Sequence, residues 1–198
     1  ATNGMSQYSR AEFNANAGIV VGIDPADFPG GALAGIALQR DLESRAFAAG
    51  GGTYAAPAQR VEDFLAGRAS RAMGDVAPSY RPGVVPSDLA PLLPDYAIAA
   101  IREAIPAFAR SLPGYDLPDA VLTGVETRTS SPVRVRRGPD GQSVNTRGLF
   151  PAGEGAGYAG GILSAAVDGI RIAEAVAADA AGVPLPEKLI REGSAIYG

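Results

Sequence analysis

The residues best placed to do chemistry lie in the run RGLFPAGEGAGYAGGILSAAVDGIRIAEAVA, Arg147 to Ala177, where Gly155, Gly157 and Gly160 fall at the spacing G-x-G-x-x-G. Glycines at that spacing let backbone approach a diphosphate, and a following helix aims the positive end of its dipole at the anion. A first strand-helix-strand unit of this kind also needs an acidic residue closing a second strand about 20 residues on, to take the ribose hydroxyls. Here that distance falls near Asp179, inside the same helical pattern, and beyond Gly182 there is only a short tail broken by proline. The first-unit reading therefore fails. What survives is a terminal strand over Gly148 to Ala152, an acidic turn at Gly153-Glu154, a loop of small residues and a helix starting at Gly160-Gly161. Down that helix Ile162, Ala165, Ala166, Gly169, Ile170, Ala173 and Val176 read as the packed stripe, with Asp168, Arg171 and Glu174 as the solvated face. The bland alternative is a binding or structural module in which the glycines only make a tight strand-to-helix turn. Glycines at 148, 153, 155, 157, 160 and 161 are more than such a turn needs.

Composition narrows the chemistry further. Cys and His are both absent, which removes disulfides, thiolate nucleophiles, Cys/His zinc sites and the Ser-His-Asp triad, so no metal site is expected. Acid-base work then falls to carboxylates, tyrosine or a bound cofactor. Tyr54 and Tyr158 are the proton donors to consider, against the commoner role of a half-buried ring with its hydroxyl at a rim. Tyr158 is the better placed because it projects from the glycine loop. A net charge of -4, with Lys188 the only lysine, argues against nucleic acid and against a polybasic membrane patch. No apolar run reaches membrane-spanning length, so a cytoplasmic protein is the expectation. Ala1 in place of Met leaves open a processed N-terminus or a piece of a longer protein.

The elements that must position this loop follow from the rest of the pattern. Gly18 to Ile23 is a β-branched run of strand length, closed by Asp24-Pro25 and Pro29-Gly30-Gly31. Leu38, Leu42, Ala46 and Ala49 predict a helix from Leu33 that ends at Gly50-Gly51-Gly52. Pro57 is expected in the first turn of a second helix carrying Val61, Phe64 and Leu65 up to Gly67. Ala69 to Pro94 is proline-rich yet holds Val84, Val85, Leu89, Leu92 and Leu93, so it reads as an ordered wrapping segment in which Ser87-Asp88 can cap a short turn. Ile98, Ile101, Ile105 and Phe108 line a helix that Pro106 should kink or interrupt. Ala120 to Val125 is an apolar run, and Val133 and Val135 alternate with Arg134 and Arg136 before the turn Gly138-Pro139-Asp140-Gly141. Asn14 and Asn16 precede the run Gly18 to Ile23, where turn chemistry explains them as well as a functional role does. The character changes near residues 114 to 120, which gives two portions, 1–117 and 118–198.

The run GLFPAGEGAGYAGGILSAAVDGI, with VLTGVETRTSSPVR upstream and TNGMS, NANAG and APAQRVEDFLAGR earlier, resembles the C-terminal portion of uncharacterised FAD-dependent dehydrogenases of the glutathione-reductase-like flavoprotein superfamily. The resemblance covers nearly the whole chain. It implies an α/β fold, α+β in the insert. Residues 118–198 would be the C-terminal part of an FAD-binding doubly wound domain, ending in strand, loop and helix. Residues 1–117 would be a mainly helical cap or substrate portion. The true diphosphate-binding unit of such proteins lies upstream of everything in this chain, so the remaining N-terminal part of the same protein is an implied partner, beside FAD and a small-molecule substrate.

By the same resemblance, Glu154 would accept a hydrogen bond from the ribityl chain, the amides at Gly160, Gly161 and Ile162 would face the flavin N1 and C2 carbonyl, and Gly153 and Gly157 would be further cofactor-binding positions of the loop. Reduction places negative charge there, and free N–H groups at a helix start stabilise it. The segment Glu126 to Pro132 matches the signature ETRTSSPVR, which makes Arg128 an anion- or carbonyl-orienting group and Ser130 its hydrogen-bonding companion at the substrate. The plain alternative has Glu126 and Arg128 as neighbours on an edge strand. Asn3, Met5, Ser6, Tyr8 and Arg10 would lie near the substrate cavity. The reading that results is an FAD-dependent oxidoreductase, against a non-redox binding or structural module.

Overall fold

The computed structural model describes residues 1–2 and 8–185. Asn3, Met5 and Ser6 of the N-terminal cluster and most of the tail after Gly182 lie outside those residues. The chain is mixed α/β and divides into two compact units, Ala1–Pro29 with Ala37–Thr127, and Gly30–Ile36 with Arg128–Gly198.

The first unit holds a three-stranded sheet in the order β2-β1-β3. The central strand β1 (Ala56–Arg60) runs parallel to β2 (Val84–Pro86) and antiparallel to β3 (Val121–Thr123). Pro57 therefore starts no helix; it sits in a strand. The register Ala58↔Thr123 puts it opposite Gly124, past the end of β3, where Gly124 donates to the Pro57 carbonyl at 3.0 Å and Pro57 has no donor to lose. Strand β1 feeds directly into the short helix α2 (Val61–Leu65), whose Val61 and Phe64 turn inward.

Helix α1 (Ala34–Ala49) ends where the glycine triplet demands, with Gly51 and Gly52 both at positive φ. Helix α3 (Asp95–Ala109) follows its isoleucine pattern but is not interrupted at Pro106. The proline stands in the last turn, and burial of Ile98 and Ile105 holds the helix against the core on either side of the missing donor. The core gathers Ala46, Val61, Phe64, Leu89, Leu92, Ile98, Ile105 and Val125. Leu89 and Leu92 bring the proline-rich segment into it, and Asp88 Oδ1 accepts from Ala90 N at 2.9 Å, opening a single 3-10 turn over Ala90–Leu92.

Gln59 is fully buried beneath this sheet with both ends of its amide used: it donates to the Arg68 carbonyl at 2.7 Å and accepts from Leu89 N at 2.9 Å. Asp63, also buried, accepts from Ser70 Oγ at 2.7 Å and Arg68 Nε at 2.6 Å. The Ser70 hydroxyl lowers its pKa most; burial opposes that, and Arg68 adds to it.

Two expected strands do not form. Gly18 to Ile23 runs without a sheet partner among the described residues, and Gly148 to Ala152 forms no strand. Among the described residues the second unit contains no strand at all, only isolated bridges joining Ser143 to Arg137 and Thr146, so two of the three strands, β1 and β2, lie in the portion 1–117 expected to be mainly helical, and β3 lies just beyond it. A β-branched run becomes a strand only when another edge pairs with its backbone. The second unit is organised around one long helix, α4 (Ile162–Ala181), which closes on Gly182 in the left-handed conformation. No helix among the described residues is long and apolar enough to cross a membrane.

Candidate functional site at the glycine loop

The loop before α4 is folded by its own backbone. Gly157 N donates to the Glu154 carbonyl at 2.9 Å and Tyr158 N to the Gly153 carbonyl at 3.0 Å, closing a turn in which Gly153 and Gly157 both take positive φ. At Gly157 a side chain is excluded twice over, because a Cβ would come within 2.6 Å of the Val133 carbonyl oxygen and 3.0 Å of Arg134 Cα. The segment carrying Val133 and Arg134 lies alongside: Val135 N donates to the Ala156 carbonyl at 3.1 Å and Arg134 Nε to the Gly157 carbonyl at 3.1 Å.

Arg137 and Asp168 fasten this loop to α4. The Arg137 guanidinium donates through Nη1 to Asp168 Oδ2 at 2.9 Å and through Nη2 to Oδ1 at 2.5 Å, and its Nη1 also reaches the Pro151 carbonyl at 2.8 Å. Asp168 Oδ2 accepts the Gly153 N–H at 2.7 Å. Its carboxylate is buried, which by itself raises its pKa. The Arg137 and Gly153 donors, with the charge of Arg171, outweigh that and hold it below the ordinary aspartate value. Arg137 also lies over the Tyr158 ring, 3.7 Å from the ring centroid, while its backbone N–H donates to the Tyr158 hydroxyl at 3.0 Å.

Asp168 is thus no part of a solvated face. Only 5% of it is exposed, whereas Ile162 and Ile170 of the expected packed stripe are 90% and 62% exposed. The helix sits rotated from the sequence reading because its buried side is chosen by the ion pair with Arg137. Neither residue of that pair was singled out as a site residue. The signal available was the spacing of Asp168 with Ala165, Ile172 and Ala175, one helical face with a single carboxylate in it.

The structure brings several expected residues together. Glu154 is half-buried on the turn, and Gly160, Gly161 and Ile162 form the start of α4, with Gly161 as an N-cap that no side chain caps. Ser130 adjoins this start: its Oγ lies 3.4 Å from where a Gly160 Cβ would stand. Arg128 is exposed at the beginning of the second unit. Tyr158 spends its hydroxyl and one ring face on Arg137, a role in shaping the loop. Tyr54, in the first unit, is 91% exposed.

The glycines separate into two kinds. Gly153 and Gly157 are required by the chain's own turn, but Gly155 has neither a positive φ nor any atom within 4 Å of a notional Cβ. Turn geometry does not account for it.

Against known proteins, residues 1–129 match the family model described as FAD-dependent protein, C-terminal domain-like, about two thirds of the chain. The chain belongs to that family. The match ends before Gly153, so family membership covers the first unit and the glycine loop stands on its own geometry. An uncharacterised protein of Clostridium beijerinckii is 51% identical over 174 residues, 87% of this chain but 33% of the relative. The chain spans about a third of the length of this curated relative. In a member of an FAD-dependent family, a loop that leaves Gly155 open and a helix start without a side-chain cap fit an electron-rich group approaching from outside.

Proposed function

We propose that the chain is the C-terminal part of an FAD-dependent oxidoreductase and supplies the flavin-facing end of a doubly wound fold, together with part of the substrate site. The reading rests on one observation: the uncapped start of α4 adjoins a glycine-rich turn that is locked from behind by Arg137 and Asp168 and open in front at Gly155.

In this reading each residue has a task. Glu154 accepts a ribityl hydroxyl. The N–H groups at Gly161 and Ile162 face the pyrimidine end of the ring, where a helix start favours negative charge. When bound, FAD supplies the carrier for an electron pair passing between it and an organic substrate. Gly160 would let the ring edge come close, and Arg128, with Ser130 as its hydrogen-bonding companion, would orient an anionic or carbonyl-bearing substrate. Asp168 holds the Gly153 amide and so the direction in which Glu154 faces. Residues 1–117 belong to the cap or substrate portion of such a protein.

The visible spectrum of the purified full-length protein tests this. The expected result is the absorption of oxidised isoalloxazine, bleached on addition of reductant. A colourless protein that also takes up no added FAD leaves only a structural role for the loop. The 198 residues alone are expected to bind FAD weakly, because most anchoring of the diphosphate lies elsewhere in such folds.

A further inference from the structure

Between helix α2 and strand β2 the chain leaves the core of the first unit and returns to it. Both ends of this excursion are fixed. Ser70 is buried: its Oγ donates to Asp63 at 2.7 Å and accepts from Arg60 N at 2.9 Å, and its own N–H donates to the Ser87 carbonyl at 3.1 Å. At the far end the Gly83 carbonyl accepts from Ala56 N at 3.0 Å, and β2 begins. From Arg71 to Gly83, by contrast, no residue is buried, and the hydrophobic core of the unit includes none of them. A stretch without buried apolar side chains depends on its polar contacts to stay closed.

Those contacts come from groups outside the stretch. Asp119 stands on a fixed base, because the carbonyls of Pro118 and Ala120 on either side of it accept from Glu62 N at 3.1 Å and Val61 N at 2.9 Å. Arg60 donates to its Oδ1 through Nε at 2.8 Å and also through Nη2, which leaves Oδ2 to accept from Asp75 N at 3.0 Å. Gly74 makes room for this approach, since a Cβ there would overlap the Asp119 carboxylate. Further along, Asn14 donates from Nδ2 to the Ala77 carbonyl at 2.6 Å, and the Tyr80 hydroxyl donates to the Tyr54 carbonyl at 3.3 Å. The stretch is stiff between two pliant ends. Pro78 and Pro82 fix φ inside it, whereas Gly74 and Gly83 bound it, with Gly83 at a φ of +99° in open space.

We propose that Asp75 to Pro82 is a strap that opens as one piece on Gly74 and Gly83, with Asp119 and Asn14 as its latches, while the sheet and core of the unit stay folded. Hinges take up a change of backbone angles at a few positions, and here both positions are glycine. The first unit thus has a moving part that its core does not share. The proposal is independent of the flavin assignment.

Two readouts on the full-length protein test it: hydrogen exchange resolved to single amides, and cleavage of the native protein by chymotrypsin after Tyr80. The Leu89 amide, which donates to buried Gln59 Oε1 at 2.9 Å, is the core reference. Asp75 is expected to exchange about a hundredfold or more faster than Leu89, yet more slowly than in an unfolded peptide. Low urea should leave that rate unchanged, because opening the strap exposes little surface. Asp119→Ala and Asn14→Ala each remove a latch, and Gly74→Ala pushes the Asp119 carboxylate aside. Each is expected to speed cleavage at Tyr80 about fivefold or more while changing Leu89 exchange less. Asn14→Ala should also speed exchange at Asp75, although Asn14 bonds to Ala77, and a bond lost merely in place would leave Asp75 as it was. Exchange at Asp75 that rises with urea in step with Leu89 overturns the proposal, and this wild-type measurement decides even where a variant fails to fold. Exchange at the unfolded-peptide rate also overturns it, as does faster exchange at Asp75 without faster cleavage at Tyr80.

Discussion

Arg137 holds Asp168 by both tips of its guanidinium, at 2.9 and 2.5 Å, and the same carboxylate takes the Gly153 amide at 2.7 Å. One buried ion pair therefore fixes both the face that α4 buries and the turn that carries Glu154. Removing one partner leaves the other buried without a counter-charge, so Asp168→Ala is expected to destabilise the protein by about 3 to 5 kcal/mol. Arg137→Lys keeps the charge but loses the fork that reaches both oxygens, and is expected to fall between wild type and Asp168→Ala. Urea denaturation of the three proteins checks the order. A Lys variant equal to wild type would remove the two-pronged geometry from the account.

The same carboxylate predicts an acid limb. Its folded-state pKa lies below that of an unfolded aspartate, about 3.9, because Arg137, Gly153 and Arg171 together overcome its burial. A depressed pKa means that the unfolded chain binds the proton first. The stabilisation is complete above about pH 5, begins to decline as the unfolded aspartate takes up its proton near pH 4, and is lost as pH falls through the lower folded value. Asp63, lowered by Ser70 and Arg68 against the effect of burial, adds in the same direction. Denaturation midpoints from pH 7 to pH 3 are expected to fall in wild type and to fall less in Asp168→Asn. An equal slope in both would place the acid sensitivity elsewhere.

Elements that close on their own side chains were legible in the sequence. The helix ending at Gly50 and the isoleucine spacing of α3 each carry their boundary or face locally, and the Ala120 to Val125 run contains β3. What the sequence could not supply was pairing. Gly18 to Ile23 is β-branched and Gly148 to Ala152 is merely apolar, and neither has a strand partner among the described residues, whereas Pro57, a residue that argues against a central strand, lies in one because the register leaves its missing donor opposite Gly124. At the site, the loop glycines and the helix start were readable from spacing. The orientation of α4 was not, because alanine on every side leaves the apolar face undetermined, and the residue that decides it is a carboxylate whose partner is 31 residues away.

The core of the first unit makes a plainer prediction. Ile105 is 1% exposed and packed within the cluster that includes Phe64 and Ile98. Ile105→Ala opens a cavity there and is expected to cost about 2 to 5 kcal/mol, while Leu112→Ala, at a residue 57% exposed, is expected to stay within about 0.5 kcal/mol of wild type. Chemical denaturation of both variants checks the contrast.

The two kinds of loop glycine distinguish a flavin site from a turn. Gly157→Ala forces a Cβ to within 2.6 Å of the Val133 carbonyl at a positive φ, so it is expected to lower stability and to distort the turn whatever the loop binds. Gly155→Ala meets nothing in this chain within 4 Å, so its stability is expected to stay within about 0.5 kcal/mol of wild type. If the open side of the turn faces FAD, that same methyl group intrudes on the cofactor, and the full-length Gly155→Ala protein should retain its fold yet bind FAD at least about tenfold more weakly, a change of 1.4 kcal/mol or more. Fluorescence titration with FAD, beside a denaturation curve for the same protein, gives both quantities. Unchanged affinity together with unchanged stability would mean that Gly155 faces only water, and the case for a cofactor at this loop would then rest on the uncapped helix start alone.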